Sequence, residues 1–336
     1  MEREINLLRR NISRLVENEI KPKVKDWEKE GKVPNEIVSK LAELGMFGLI
    51  IPEDYGGIGY GAQVLTAAVE ELTRGSSSIA LLVLLQNSLV AQTLIKAKRK
   101  DLLEKLAEGQ ILGGGGIFDK DFIQKDGRLN GEGDFLVNGQ GNIFAIWTKK
   151  DAFLVEAGLE LNHCHEVLAL HAADICSFSM KGVPISYSAP IEQLKAGMNL
   201  YLTGISAIAL GIVREILNEA KTYAQNRKQF GRPIGDFWMV QDMLAEIAIT
   251  VRTGELLVGD VALRYDQGNV SDHDPAMAKV FVTRQVMKAA TLGIQIFGGY
   301  GYTTDYPMER YFREAKVLEV IGNVNEELRS QIARSL

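Results

Sequence analysis

The stretch that most restricts this chain is Gln295–Lys316, QIFGGYGYTTDYPMERYFREAK. An apolar helical pattern runs from Pro275 to Phe297 and is interrupted at Gly298, Gly299 and Gly301. Glycine adopts positive φ without a Cβ clash, so Gly298 is expected to end that helix. The next helix is expected to start at Pro307, where a missing N–H leaves no bond unmade. Two helices must therefore turn against each other around a backbone that carries few side chains. Such a turn lets a ligand approach the main chain, and free amides at a helix boundary suit a phosphate. Taken alone, the pattern reads first as a plain helix–turn–helix corner.

The rest of the chain divides by periodicity into helical, β and helical parts, an α+β class. Residues 1–110 read as helical, with Ile12, Leu15, Val16 and Ile20 at helical spacing and a break at Val33-Pro34-Asn35. A glycine-rich loop follows at 48–59, and then a buried helix from Ser76 to Ile95 with Ser76–Ser78 as candidate N-caps. Residues 111–190 begin with four glycines, Gly113–Gly116, and alternate as short strands. Strands are expected around Phe135–Val137, Ile143–Trp147, Ala152–Val155, Val167–Leu170 and Ile175–Met180, with turns at Asn138-Gly139 and Lys181-Gly182. Residues 191–336 return to helix. Ile205, Ile208, Ile212, Val213 and Ile216 form one apolar stripe, and Phe237, Val240, Leu244, Ile247 and Val251 form another.

With 46% hydrophobic residues, a chain of 336 has enough apolar surface for a large core. A net charge of −5 with mixed signs gives no electrostatic case for nucleic acid or an anionic membrane. The charged N-terminus does not read as a secretory signal, and the longest apolar run, Ile79–Leu85, is too short to span a bilayer. Two cysteines, Cys164 and Cys176, argue against a disulfide scaffold. The expectation is a cytoplasmic protein. His163, His165, His171 and the two cysteines fit no standard zinc spacing, so no metal is expected.

A second segment changes the weight of the glycine turn. Residues 227–234 read RKQFGRPI, and with QIFGGYGY and PMERYFREAK they give three motifs in order. Together they resemble the acyl-CoA dehydrogenase family, which carries R-x-x-F-G-x-x-I, Q-I-x-G-G-x-G-Y and P-x-x-R-x-x-R-[DE]-A-K at similar spacing. The 48–59 loop also resembles the family's G-L-x-x-P-x-x-Y-G-G-x-G. The resemblance implies an N-terminal helical domain (1–110), a small, reduced β-barrel-like middle domain (111–190) and a C-terminal four-helix bundle (191–336). It implies FAD as cofactor, with Arg227 on the pyrophosphate, Phe230 beside the cofactor, and Gln295, Gly298 and Gly299 as further contacts. In the family the two motif regions come from different subunits. A dimer or homotetramer is therefore implied, or a hetero-oligomer with a catalytic paralogue, with acyl-CoA and an electron-transfer flavoprotein as partners.

The same resemblance breaks at the catalytic positions. Desaturation of an acyl-CoA, the family's part in fatty acid metabolism, needs a carboxylate to take the α-proton. One family position for it lies six residues after R-[DE]-A-K in an E-G-T motif, which here reads Gly322-Asn323-Val324. The other is an E-R pair on the helix before R-x-x-F-G, which here reads Tyr201-Leu202. Glu319 and Glu326 flank the first position but read as exposed helix charges. The family's T-E-P is replaced by a sequence with Phe118 and Asp119 in the first two places, and its G-S-D is missing. The family's W-I-[ST] hydroxyl falls either at Ala145 or, with a short slip, at Thr148 beside Trp147. Three functions stay open: a FAD-dependent acyl-CoA dehydrogenase-like oxidoreductase with an unidentified base, a non-catalytic FAD-binding or structural subunit, or a flavoprotein acting on another substrate, such as an oxygen-using relative.

Overall fold

The computed structural model describes residues 2–336. The helical N-terminal part comprises α1 (Glu2–Leu15), α2 (Val24–Glu30), α3 (Asn35–Glu43), α4 (Ala62–Thr73), α5 (Ser77–Leu85), α6 (Ala91–Lys96) and α7 (Lys100–Ala107). Ser76 caps α5 as expected, its hydroxyl accepting the Ile79 N–H at 3.3 Å. From α5 a π-helical turn at Gln86–Val90 leads straight into α6. The whole Ser77–Lys96 segment is long and apolar enough to cross a membrane, as is Ile191–Asn226, which an argument from the longest unbroken apolar run missed. Both are mostly buried inside the protein, where they form the core on which the other helices pack.

Eight strands follow, β1 (Gly113–Phe118), β2 (Ile123–Lys125), β3 (Arg128–Leu136), β4 (Ile143–Thr148), β5 (Asp151–Val155), β6 (Leu159–Cys164), β7 (Cys176–Pro184) and β8 (Tyr187–Pro190). They make two four-stranded sheets, ordered β1-β4-β5-β8 and β2-β3-β7-β6. Strand β1 pairs in parallel with β4, and the other pairs are antiparallel. Phe118, Phe122 and Phe178 fill the space between the sheets, with edge-to-face contacts of 5.9 and 5.1 Å from Phe118. The strand expected at Val167–Leu170 does not form. The Val167 N–H turns back to the His165 carbonyl, and Leu170 takes φ 64°, which no strand continues. The missing strand is instead β6, just upstream.

The C-terminal helices are α8 (Lys195–Asn226), α9 (Trp238–Asp266), α10 (Asp274–Phe297), α11 (Met308–Leu318) and α12 (Asn325–Arg334). Helix α8 starts upstream of Ile205, because Leu200, Tyr201 and Leu202 are already buried. Its Glu215, buried among the N-terminal helices, accepts from Lys21 and Arg74 at 2.8 Å each. That pairing ties the first helical layer to the bundle. Helix α10 ends at Gly298 with φ 59°, and α11 begins directly after Pro307, both as the sequence predicts. Helix α9 is covered on one face only, by Ile247, Val251 and Val258, while Trp238, Met239, Ile249 and Leu256 stay exposed.

Candidate functional site

The RKQFGRPI segment folds into a minimal hairpin in which Gln229 pairs with Arg232 and Lys228 with Pro233. Its two turn residues, Phe230 and Gly231, have φ of 52° and 84°, the signature of a type I′ turn. Glycine accepts that backbone freely, whereas phenylalanine is strained in it. The strained Phe230 is nonetheless 92% exposed, with only an edge contact to Phe237 at 6.2 Å. Local folding alone gives no reason for an exposed aromatic at this place.

Arg227, at the end of α8, is held by its N–H to the Tyr223 carbonyl at 2.8 Å and lines a cavity of about 440 Å³ with Gly298 and Gly299. A Cβ added at either glycine would meet nothing within 4 Å, so both glycines leave open space over the backbone. No carboxylate pairs with Arg227 among the described residues, and its guanidinium sits 5.9 Å from the Tyr300 ring. An unpaired guanidinium beside bare backbone fits a diphosphate. Gln295 is exposed on the adjacent turn of α10, and Phe230 stands on the hairpin tip, both outside the cavity lining. The resemblance implies that the two motifs come from different subunits, but here one chain brings both to one concavity. Sequence reasoning missed the aromatic floor: Tyr223 stacks on Phe297 at 4.1 Å, and both meet Tyr306 edge-on.

A second, larger cavity of about 880 Å³ lies between the β-sheets and the bundle. Gly322 and Tyr201, the two positions read as vacated base sites, both line it. Gly322 has φ 70°, and a Cβ there would stand 3.3 Å from the Tyr201 ring and 3.4 Å from Ile205. A side chain at 322 would therefore start in tight contact with the ring. Burial pushes the Tyr201 hydroxyl well above the usual tyrosine range, so it stays neutral. Phe118 and Asp119 also line this cavity, as the alignment to T-E-P implies. Neither Ala145 nor Thr148 does. The Thr148 hydroxyl is committed to its own turn, donating to the Asp151 carbonyl and accepting from the Lys150 and Asp151 N–H groups, and Trp147 Nε1 donates to Thr93. Glu319 pairs with Lys316 at 2.6 Å, and neither it nor the exposed Glu326 lines the cavity. Glu327 does, held at 2.5 Å by Lys149, which also grips Asp119 at 2.5 Å.

The wall bearing Gly322 rests on a buried cation. Lys279 of α10 is fully enclosed and donates to the carbonyls of Glu319 (3.2 Å) and Asn323 (2.7 Å) and to Asn325 Oδ1 (3.1 Å). Among the described residues no carboxylate touches it, and burial lowers its pKa to about 7, partly offset by Glu319 and Glu326. The signal for it was in the sequence, as one lysine inside an apolar run. Among the described residues no three His, Cys, Asp or Glu side chains are arranged to hold a metal. The side chains of His163 and Cys164 lie outside the described residues. Cys176, read as part of no disulfide scaffold, is nevertheless disulfide-bonded and so offers no thiol nucleophile.

Residues 2–110 match the family description "Acyl-CoA dehydrogenase, N-terminal domain" and residues 192–336 match "Acyl-CoA dehydrogenase, C-terminal domain". A glutaryl-CoA dehydrogenase of Desulfococcus multivorans is 30% identical over 97% of this chain and 94% of its own. A solved structure described as the glutaryl-coenzyme A dehydrogenase glutaryl-CoA complex superposes with a TM-score of 0.89 at 28% identity, over 99% of this chain and 95% of its own. A chain from a study of the electron transferring flavoprotein of Acidaminococcus fermentans superposes with a TM-score of 0.91 at 26% identity, over 98% and 97% of the two chains.

Proposed function

Because this chain belongs to the acyl-CoA dehydrogenase family, whose members are flavin-dependent oxidoreductases, we propose that it is a FAD-binding subunit that does not itself take the α-proton. One observation carries the proposal. The two places from which the family can supply a carboxylate meet in one cavity wall, and there a glycine at φ 70° faces a tyrosine ring. In this reading Arg227 binds the pyrophosphate, Gly298 and Gly299 let the cofactor lie against backbone, and Gln295 and Phe230 complete the contact. Bound FAD would supply a hydride acceptor for the acyl β-carbon. The cavity at Arg227 and the cavity at Tyr201 share no lining residue, and in this reading the dinucleotide gripped at the first serves a neighbouring protomer, as the resemblance implies. That neighbour is a base-bearing paralogue in a hetero-oligomer, or a second copy in a homo-oligomer.

A second reading, α,β-desaturation of an acyl-CoA by this chain alone, is favoured by the acidic side chains on the larger cavity, Asp119, Asp134, Glu166 and Glu327. Against it, Asp119 and Glu327 are both held by Lys149. The absorption spectrum of the purified protein, before and after anaerobic addition of acyl-CoAs of several lengths, decides between the two. Flavin bands that persist unless a base-bearing paralogue is added support the subunit reading. Bands bleached by the protein alone would replace it with the second reading, and absence of flavin after addition of FAD would exclude both.

A further inference from the structure

The turn 319–324 joins α11 to α12 and puts Val320, Ile321, Gly322, Asn323 and Val324 on the larger cavity. Gly322 and Asn323 are left-handed in succession, with φ of 70° and 73°, so this backbone needs ties to hold it. Its outer side faces water, with Val320 56% and Val324 38% exposed. The ties lie on the inner side. The Asn325 N–H closes the turn on the Glu319 carbonyl at 3.0 Å, and Asn325 Nδ2 donates to Thr283 at 3.0 Å. The others run to one atom, Lys279 Nζ, through its bonds to the Glu319 and Asn323 carbonyls and to Asn325 Oδ1. An ammonium has three donors and no acceptor, so the three oxygens match it in number.

We propose that Lys279 is a proton-operated latch: its ammonium holds the 319–325 turn against the larger cavity, and loss of one proton slackens that wall. The reason is one of numbers. A neutral amine keeps two N–H donors and gains a lone pair. Three oxygens then share two donors, and the lone pair faces the oxygen left over. All three oxygens belong to residues 319–325, so the lost bond falls on the turn in every case. Burial lowers the Lys279 pKa to about 7, which brings the exchange into the neutral range. Two carboxylates work against that lowering, Glu319, which pairs with Lys316, and Glu326 on the first turn of α12. The carbonyl end of α11 also favours the ammonium, and the N-terminus of α12 disfavours it. Among the described residues no charged side chain of α8, α9 or α10 acts on it. The latch is closed below about pH 7 and slack above it. Deprotonation also ends the cost of burying a charge, so the fold as a whole gains stability while this wall loses a tie. The latch rests on the wall and not on a ligand, so it is independent of which functional reading holds.

The test is hydrogen exchange of the purified full-length protein, read by mass spectrometry at about pH 5.5 and about pH 8.5. Comparing each rate with the intrinsic rate at the same pH leaves the protection due to structure. In the wild type, peptides covering 319–325 should lose about tenfold in protection at the higher pH, the worth of one bond to a charged donor. Peptides from α8 should stay level. Lys279→Arg stays charged at both pH values and should keep its protection constant. Lys279→Met removes the donors, and protection of the turn should be low at both. Equal protection of the wild-type turn at the two pH values would overturn the inference. So would a fall of the same size in either variant, which assigns the proton to another group, or a fall shared by α8, which is general loosening. If the variants fail to fold, the wild-type comparison of 319–325 with α8 still decides.

Discussion

At the scale of single residues, Arg227 lies beside the bare backbone of Gly298 and Gly299, and the family's two base positions hold Gly322 and Tyr201. Arg227→Ala should lower FAD occupancy by about tenfold in dissociation constant, since a charge-assisted bond to phosphate is removed without disturbing the fold. Flavin content measured after dialysis checks this, and unchanged content would remove Arg227 from the site. Gly322→Glu should not restore dehydrogenation. The backbone there is left-handed, and the new Cβ would crowd Tyr201 at 3.3 Å, so a loss of stability of about 1–2 kcal/mol is expected instead, seen in denaturant melts. Lys279 gives a pH signature. Its folded pKa of about 7 lies below the ordinary 10.5, so between these values the unfolded chain binds more protons and stability rises with pH. From pH 7 to 9 the gain is about 2 kcal/mol, and Lys279→Met should flatten that slope in urea titrations at the two pH values. The positions of Gly298, Gly322 and Tyr201 at cavities were legible in the sequence because family motifs fix their register. The roles of Tyr223, Phe297 and Lys279 were not, because aromatic and apolar helical spacing looks the same in a core as in a binding wall.

At the scale of elements, helix α11 is anchored through a buried charge. Glu314 accepts from Arg310 at 3.0 Å and from Ser77 at 2.8 Å, all inside the protein. Glu314→Ala should cost about 3–5 kcal/mol by leaving the Arg310 cation buried alone, whereas Glu314→Gln, which keeps an acceptor, should cost less. Thermal melts of the two variants separate loss of charge from loss of the bond. Such pairs are opaque to sequence reading: Ser77 and Glu314 are far apart in the chain, and nothing in either segment announces the other. Helices were legible because their period of 3.6 is repeated over many turns. The strand order was not, and Val167–Leu170 was misassigned because an apolar run of four carries too few repeats to tell a strand from a packed loop.

For the whole molecule, the covered and uncovered faces of α9 matter most. Trp238, Met239, Ile249 and Leu256 form an apolar face that a lone chain leaves in water. Association through that face is expected, and Leu256→Asp should shift the protein toward monomer in sedimentation velocity. If α9 forms no contact, the variant will sediment as the wild type does. The two-ended helical architecture with a β-region between was readable from the change of hydrophobic periodicity along the chain. How the halves close on each other was not, since it depends on pairs such as Lys21–Glu215 and Lys149–Glu327 that join distant segments.

The wall formed by Gly322 and Tyr201 also bears on how such a chain can change over generations. A side chain at 322 crowds the tyrosine ring, which must give way by a few tenths of an ångström, and removing the tyrosine alone leaves a hole and no carboxylate. Either substitution alone is thus expected to cost stability. The two positions are coupled: a substitution at one is best accommodated once the other has changed.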